Sequence, residues 1–572
     1  MAEKRPNVVL VMTDDQGYAD LGCTGNPWIQ TPNIDAFSQE GVVFNQFHVS
    51  PLCTPTRGAL MSGHNPLRNG AWATCWGRSI LRKSETTMAD VFAASGYRTG
   101  MFGKWHLGDN YPYRPQDRGF QKVVAHKGGG VGQTPDYWGN NYFDDTYFHN
   151  GEPQSHEGYC TDVWFDEAMA FIADRQDEPF FCYLVTNAPH SPYLVAERYK
   201  ALYRDNPDIP EPAFYGMITN IDENWGRLAK QLDDLGLAEN TILIFMTDNG
   251  SSGGWFPREG VKGYNAGMRG KKGSYYDGGH RVPFIIRWPK GGLGGGREVD
   301  DLCCHMDLLP TFIDLCGLQP PEGVAFDGRS CGPLLRGEAT KLPERDIFVQ
   351  FRQNTDPPAK WDNAVMRGRW RLVYGEELYD IEADPGQQSD VSEQYPEIKA
   401  QLRQAHEDWW TEVSPRFEYV CPISLGNDAE NPTGLNAMDV LGDVAWNQTA
   451  IAIAQKSTGR WCVDVEQPGT YRFRLRRWPE ELEMPLDEAI TPEEGQELAC
   501  YIQNITPQAI QPASARLVLF DREAKQAVDA GATEVTFEWE MAETGVTQME
   551  AWFADAEGEE QGAYYVYVER VG

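Results

Sequence analysis

An α/β fold is the class that the sequence predicts for its first 344 residues. Two nearly continuous apolar runs, at residues 7–13 and 241–247, are typical of strands buried on both faces of a sheet. Helix-like and strand-like stretches alternate between these runs, most clearly at residues 87–96, 97–102, 180–186 and 218–235. This alternation indicates a sheet with parallel strands, whose ligand sites lie beyond the carboxyl ends of the strands.

A small second region follows at residues 345–420. Its pattern is that of short antiparallel strands followed by one helix, predicted at 346–351, 364–367, 370–374, 377–379 and 395–412. We therefore expect a small α+β subdomain, placed after a catalytic domain that spans residues 1–344.

A third region, residues 421–572, is predicted to be a β-sandwich-like extension. Alternating segments with turns between them predict strands at 460–466, 469–476, 515–520, 533–541 and 547–553, and the Glu- and Pro-rich segment 479–496 is predicted to be a loop. No Gly/Ser-rich linker precedes this region, so we expect rigid attachment. It could cap the mouth of the active site or mediate homo-oligomerisation.

Charge and composition exclude several classes of partner. The 572 residues carry a net charge of −34, which disfavours nucleic acid and anionic membranes by repulsion. No run reaches the roughly 18 apolar residues of a membrane span. The N-terminus enters a strand without the apolar core and cleavage site of a signal peptide. The expectation is a cytoplasmic protein, or a periplasmic or secreted one whose signal has been removed.

Oxygen-bearing side chains follow both apolar runs. Asp14 and Asp15 come after the first run, and Asp248 and Asn249 after the second. If the two strands are neighbours, these side chains could hold Ca²⁺ or, less favourably, Mg²⁺. Adjacent side chains of a regular strand face opposite ways, so both aspartates can reach one ion only where the strand unwinds. The alternative is that these residues end strands and cap the following helices.

A cysteine lies at a predicted helix start in the segment PLCTPTRGALMSG. Thr54 suits the N-cap, Pro55 the first turn and Gly63 the end, which puts Cys53 at the helix N-terminus with Arg57 alongside. The helix dipole and a nearby cation favour a reactive thiolate there. The alternative is a buried cysteine with an ordinary packing role.

Three more segments carry polar groups that suit an anionic substrate. In an extended Gly103–Gly108, Lys104 and His106 point to one side. His190 lies between two prolines in a rigid loop, although a lone histidine there is often structural. The Gly-rich basic segment 269–281 is similar to an anion-binding loop, but it lacks the ending of a nucleotide-binding P-loop.

Taken together, these motifs resemble the type I, formylglycine-dependent sulfatases in order and approximate spacing. The resemblance runs from residue 5 to about residue 415 and includes the segment Glu377 to Pro385 in the small subdomain. It implies an alkaline-phosphatase-like core, in which a central mixed sheet is flanked by helices. It also implies a hydrolase of sulfate monoesters, acting on aryl or carbohydrate sulfates.

The resemblance further implies the site residues. Cys53 would be oxidised to formylglycine by a maturation enzyme that reads Cys-x-Pro-x-Arg, and would share a Ca²⁺ with the four strand-end residues. The residues that match sulfate-binding and proton-moving positions are Arg57, Lys104, His106, His190 and Lys272. Lys271 is adjacent, but the order of the motif points to Lys272. A hydrated aldehyde would attack sulfur, His190 or Lys272 would protonate the leaving group, and His106 would help to release sulfate.

Two departures and two alternatives accompany this interpretation. The usual Ser-Arg of the family is Thr56-Arg57 here, and a later Thr-Gly-Arg is Ser62-Gly63-His64, while Cys53, Pro55 and Arg57 are kept. One alternative is a hydrolase of phosphate mono- or diesters or phosphonate monoesters; the other is a binding protein in which Cys53 stays a thiol. The candidate substrate contacts are Trp72, Trp76, His126, Gly128–Gly132, Trp138 and Tyr142. The alternative is that these residues only pack in the core or in loops.

Overall fold

The computed structural model describes residues 5–174, 178–256, 261–491 and 505–572. Its centre is a ten-stranded mixed sheet with the order β11-β2-β10-β9-β1-β8-β4-β5-β6-β7. The first twelve strands, of which β3 and β12 pair separately, are β1 (Asn7–Thr13), β2 (Val42–Phe44), β3 (Phe47–His48), β4 (Arg98–Lys104), β5 (Lys122–His126), β6 (Thr146–His149), β7 (Glu152–Ser155), β8 (Phe180–Val185), β9 (Thr241–Thr247), β10 (Phe284–Arg287), β11 (Arg297–Val299) and β12 (Cys303–Cys304).

Helices cover both faces of this sheet. The α-helices are α1 (Pro32–Glu40), α2 (Cys53–Ser62), α3 (Pro66–Asn69), α4 (Met88–Ala94), α5 (Cys160–Asp174), α6 (Glu197–Lys200), α7 (Pro212–Asp234), α8 (Asp277–His280), α9 (Leu308–Cys316), α10 (Gly332–Leu335), α11 (Pro396–Val413) and α12 (Gln448–Ala452). Short 3₁₀ turns lie at Gly22–Thr24, Pro115–Asp117, Ala238–Asn240, Pro289–Gly291, His305–Asp307 and Ser414–Arg416.

The apolar run of β1 is continuous because this strand is buried on both faces. Leu10 and Met12 pack with α2, α4 and α9 on one face, whereas Val9 and Val11 pack with α1, α5 and α7 on the other. β1 runs parallel to β8 and to β9, with Thr13 opposite Thr247. The α/β fold and the neighbouring positions of the two apolar strands are thus confirmed.

The small second region is an antiparallel sheet with one helix. Its strands, in spatial order, are β13 (Ile347–Gln350), β14 (Asn363–Arg367), β15 (Trp370–Val373) and β16 (Glu377–Asp380). Leu402 of α11 packs on one face, and Tyr275 and Tyr276 pack on the other. These packed faces join the subdomain to the segment that carries Lys272.

The third region contains two sheets with one shared core. A seven-stranded sheet and a four-stranded sheet are formed by β17 (Ile423–Leu425), β18 (Thr433–Asn436), β19 (Leu441–Gly442), β20 (Gly459–Val465), β21 (Gly469–Arg476), β22 (Ser514–Leu519), β23 (Arg522–Ala527), β24 (Val535–Met541), β25 (Gly545–Ala554), β26 (Glu560–Gly562) and β27 (Tyr565–Arg570). The predicted β-rich extension is confirmed, and its five predicted strands correspond to β20, β21, β22, β24 and β25.

The sandwich core extends into the α/β part. Cys75, Ile80 and Tyr113 pack in the same apolar cluster as Ile423 and Met438. Within the predicted loop 479–496, residues 479–491 form neither helix nor strand, and residues 492–496 lie outside the described residues. The boundaries at 344/345 and 420/421 stay predictions. No helix in the described part of the chain is long and apolar enough to cross a membrane.

Candidate active site

The parallel pairing of β1 with β9 brings the strand-end residues together. One carboxylate oxygen from each of Asp14, Asp15 and Asp248 lies within 4.8 Å of the others. Asp15 has φ 66°, in the left-handed region, so the strand has ended there and both aspartates can reach one point. The Asp15 backbone N–H donates to Asp248 Oδ1 at 3.0 Å, and Asn249 Nδ2 donates to Asp15 Oδ1 at 2.9 Å.

This cluster fits a divalent cation. Asp14 Oδ1 and Asn249 Oδ1 are buried without a hydrogen-bond partner among the described residues. Buried oxygens are rarely left unpaired, and an orphaned pair beside two more carboxylates indicates a missing ligand. Burial, joined by the neighbouring Asp14, raises the pKa of Asp248 to about 7. A bound cation would stabilise the ionised form of this carboxyl, and hard oxygen ligands suit Ca²⁺ or Mg²⁺.

Helix α2 presents Cys53 to the cluster. The cysteine Sγ, an Asp14 oxygen and a His190 ring nitrogen lie within 4.8 Å of one another. The helix begins at Cys53 with Leu52 as N-cap, so the prediction of Thr54 as N-cap is wrong. The Thr54 hydroxyl instead donates to the His106 carbonyl at 3.3 Å, while Gly63 ends the helix at φ 69° as predicted.

The Cys53 thiol is not activated as a nucleophile. Burial, with Asp14 beside it, raises the pKa of the Cys53 thiol to about 12. The helix start and the nearby cations therefore do not favour a thiolate here, and of the two interpretations of the isolated motif the buried cysteine agrees with the structure. A buried neutral thiol is a poor reagent for attack on sulfur.

Two fully buried cations hold the carboxylates in place. Arg57 donates through Nη2 to Asp248 Oδ2 at 2.8 Å and through Nη1 to the Lys104 carbonyl at 2.7 Å. Lys104 Nζ donates to Asp14 Oδ2 at 2.5 Å. All four side chains of these two ion pairs are 0% exposed. Burial of ions is costly without close partners, so these pairs fix the geometry of the cluster.

Lys272 and His190 complete the polar side of the site. Lys272 Nζ lies 2.6 Å from Asp15 Oδ1, whereas Lys271 lies over the Phe256 ring, which agrees with the predicted choice of Lys272. His190 Nε2 lies 3.7 Å from Asp15 Oδ2. Burial alone would raise the pKa of Asp15, but Lys272 and His190 lower it below its ordinary value.

His106 lies near the mouth of the site. Its Nε2 pairs with the Thr74 carbonyl at 3.0 Å, and its buried Nδ1 has no partner among the described residues. The preceding Trp105 faces the core, as the alternation predicted. The ten predicted site residues therefore converge on one place, and His106 keeps a ring nitrogen for a further contact.

A cavity of about 280 Å³ leads to Cys53. His106, His190 and Lys272 line its polar end, and Met438, Val444 and Trp446 of the third region line its wall. Trp76 also lines the cavity and has φ 63°, a strained backbone conformation that costs about 1–3 kcal/mol. Its N–H donates to the Met438 carbonyl at 3.0 Å, which holds the strained turn.

Of the predicted substrate-contact residues, only Trp76 and Gly129 line this cavity. Trp72 packs with Trp409, and Trp138 packs edge-on against Trp478. His126 and Tyr142 are likewise buried in the fold, so core packing is the correct interpretation for these four residues. Lining residues for which no motif predicted a role include Thr74, Cys75, Gln133, Gln353, Met438, Val444 and Trp446.

Family comparison agrees with this geometry. A family model described as Sulfatase matches residues 6–318, which is more than half of the chain. The chain belongs to the sulfatase family. A second model, N-sulphoglucosamine sulphohydrolase, C-terminal, matches residues 270–411 of this sulfatase. Human arylsulfatase A is 33% identical over 66% of this chain and 77% of its own length. This sulfatase is therefore a hydrolase of sulfate esters.

Other relatives and solved structures agree. Mouse N-acetylgalactosamine-6-sulfatase is 30% identical over 62% of this sulfatase and 70% of its own length. The crystal structure described as Ps i-CgsB in complex with k-i-k-neocarrahexaose aligns with a TM-score of 0.64 at 26% identity, covering 73% of this chain and 99% of that one. A phosphonate monoester hydrolase of Agrobacterium radiobacter, 21% identical with a TM-score of 0.51, shares the fold.

Proposed function

We propose that this sulfatase cleaves sulfate monoesters with a formylglycine made from Cys53 and a Ca²⁺ held by Asp14, Asp15, Asp248 and Asn249. The observation that carries the proposal is the position of Cys53 Sγ within 4.8 Å of both an Asp14 oxygen and a His190 nitrogen. Residue 53 thus lies between a cation-binding cluster and a proton-transfer group. An aldehyde in this place supplies, when hydrated, one hydroxyl for attack on sulfur and a second for release of sulfate.

The protein's own side chains bind and orient the ester. A cation in the carboxylate cluster, when bound, would withdraw charge from a sulfate oxygen. Arg57 and Lys104 fix the positions of the Asp248 and Asp14 carboxylates, which would face this cation. Lys272 and His190 line the cavity where the ester oxygen would lie. Burial and Lys272 lower the pKa of His190 to about 3, so Lys272 is the better placed of the two to supply the proton that the leaving group needs. His106 has a free ring nitrogen to accept a proton during sulfate release.

Local charge explains how a strongly acidic protein binds an anion. Distant surface charges are screened beyond about 8 Å at physiological salt. A unit charge pair at about 4 Å contributes roughly 4 kcal/mol at an effective dielectric near 20. Arg57, Lys104 and Lys272 balance the carboxylates of the cluster, so a divalent cation bound there would leave a net positive local charge despite the net charge of −34 of the whole chain.

Turnover of matched esters tests the proposal. We would produce the protein with and without a maturation enzyme that reads Cys-x-Pro-x-Arg, and compare 4-nitrophenyl sulfate with 4-nitrophenyl phosphate. The expected result is a higher kcat/KM for the sulfate ester and dependence on the maturation enzyme. A higher kcat/KM for the phosphate ester would favour a phosphohydrolase on the same scaffold. Turnover of neither ester by the matured protein would favour a binding protein.

A further inference from the structure

We propose that the cavity selects sulfate esters whose alcohol or phenol is a single uncharged ring, and that Trp446 of the third region, with Trp76, forms the surface against which this ring packs. The inference rests on the proposed function, since it names the class of ester that the same site accepts. Both tryptophans line the cavity and both are only partly buried. Aromatic faces are suited to aryl groups and to the apolar faces of sugar rings.

Charge is confined to one end of the cavity. Lys272 and the histidines His106 and His190 lie beside Cys53, where the sulfate would be held. Among the described lining residues beyond this end, none is Asp, Glu, Lys or Arg. Carboxylates and further sulfates are recognised in proteins by paired cations, and arginine is the usual partner. An ester with a second anionic group on its ring would therefore lose hydration here without gaining a counter-charge.

Uncharged donors for the ring also line the cavity, among them Gln133 and Ser191. The Gln133 side chain lines the cavity and accepts through Oε1 from the Gly129 N–H at 2.7 Å. No described residue accepts from its Nε2. The other glutamine of the lining, Gln353, is bonded to Thr74 at both ends of its amide, because it accepts from the Thr74 N–H at 3.1 Å and donates to the Thr74 hydroxyl at 2.9 Å. Gln133 thus suits a hydroxyl or ring oxygen.

The aromatic surface is held in place before substrate arrives. The Ala445 carbonyl accepts from the Thr134 hydroxyl at 2.5 Å, and the Trp446 carbonyl accepts from the Thr134 backbone N–H at 3.2 Å. Gln448, two residues after Trp446, accepts through its side-chain Oε1 from the Gly139 N–H at 3.0 Å. Little conformational entropy is lost on binding to such a preorganised surface. The cavity volume of about 280 Å³ lies at the lower end of ligand pockets, which suits one ring.

Two aryl sulfates that differ in one charge test this inference. The neutral ester is 4-(methoxycarbonyl)phenyl sulfate, and the charged one is 4-carboxyphenyl sulfate. We expect the unchanged protein to prefer the neutral ester by about tenfold or more in kcat/KM, and Trp446→Ala to lower kcat/KM for the neutral ester about tenfold, mainly through KM. Trp446→Phe should retain most of the activity. Inhibition by inorganic sulfate, which reports the polar end alone, should not change.

The controls separate the inference from the proposed function. Trp552→Ala removes a tryptophan of the same region that does not line the cavity, and it should leave both esters unaffected. If Trp446→Ala does not fold, Val444→Lys provides the test instead. The added cation should reduce the ratio of kcat/KM for the neutral ester to kcat/KM for the charged ester. Equal turnover of both esters, or no effect of either variant, would overturn the inference alone. Absence of turnover of both esters by matured protein would overturn the proposed function and this inference with it.

Discussion

Two adjacent lysines have different surroundings at this site. Lys272 lies against Asp15 and lines the cavity, whereas Lys271 lies over Phe256. Lys272→Ala removes a cation from the place where charge develops, so we expect kcat/KM for 4-nitrophenyl sulfate to fall about 100-fold or more. Lys271→Ala is the matched control, with an expected change below about threefold. Equal losses in both variants would contradict the assigned role of Lys272.

Arg57 is expected to stabilise the fold as well as the site. Its removal leaves the buried Asp248 without its cation, and such a loss costs about 3–5 kcal/mol. We therefore expect Arg57→Ala to lower the free energy of unfolding by about 3 kcal/mol in calcium-free buffer, measured by urea denaturation. The control is Arg98→Ala, which breaks the half-exposed pair with Glu178 and should cost at most about 1 kcal/mol. If Arg57→Ala lowered the free energy of unfolding as little as Arg98→Ala does, Arg57 would not have the proposed role in stabilising the fold.

The meeting of the ten candidate residues could be predicted from the order and spacing of motifs that resemble those of the sulfatases, whereas the roles of these residues stay predictions. What the sequence could not predict were contacts made across long separations, such as Lys104 with Asp14 or Trp446 with the cavity. The state of the Cys53 thiol also depends on burial, which no local pattern reveals. The motif alone left a reactive thiolate and a buried cysteine open, and the folded surroundings favour the buried cysteine.

At the scale of elements, the register of β1 against β9 creates the carboxylate cluster that is proposed to hold the cation. Calcium should therefore stabilise the folded protein, by about 2.7 kcal/mol at a free concentration 100 times its Kd. Asp14→Asn should abolish most of this stabilisation, because it removes one of the clustered carboxylates. Asp20→Asn is the control, since Asp20 is buried nearby but does not belong to the cluster. Thermal unfolding with and without calcium measures the stabilisation of each variant. If calcium stabilised Asp14→Asn as much as the unchanged protein, Asp14 would not be a calcium ligand.

The elements that were predictable are those with strong periodicity. β1, β9, α7 and α11 follow from long apolar or amphipathic runs. Both ends of β1 and β9 agree with the prediction, α11 is shifted by one residue, and α7 begins six residues before its predicted start. The start of α2 was predicted two residues late, because Thr54 is used to bond the His106 carbonyl and does not cap the helix. Short strands such as β17–β19 and β26 carry too little pattern to be predicted, since their partners in the sandwich define them.

At the scale of the whole molecule, the third region is part of the active-site architecture. Gln448 is 1% exposed, and its amide spans the junction by accepting from Gly139 and donating to the Tyr137 carbonyl at 3.1 Å. Gln448→Ala leaves these buried groups unpaired, so we expect a loss of about 2 kcal/mol in the free energy of unfolding and a raised KM. Gln526→Ala, at an exposed bond to the Thr536 carbonyl, is the control. An unchanged KM would indicate that the junction does not position the cavity wall.

The central claim is that residue 53 works as an aldehyde beside a cation and not as a thiol. Mass spectrometry of the tryptic peptide that ends at Arg57, taken from protein that hydrolyses an aryl sulfate, tests it most directly. We expect the peptide to carry the lighter aldehyde form and the converted fraction to rise in proportion to kcat across preparations. Protein that hydrolyses the ester at full rate while residue 53 is entirely thiol would rule out an aldehyde nucleophile.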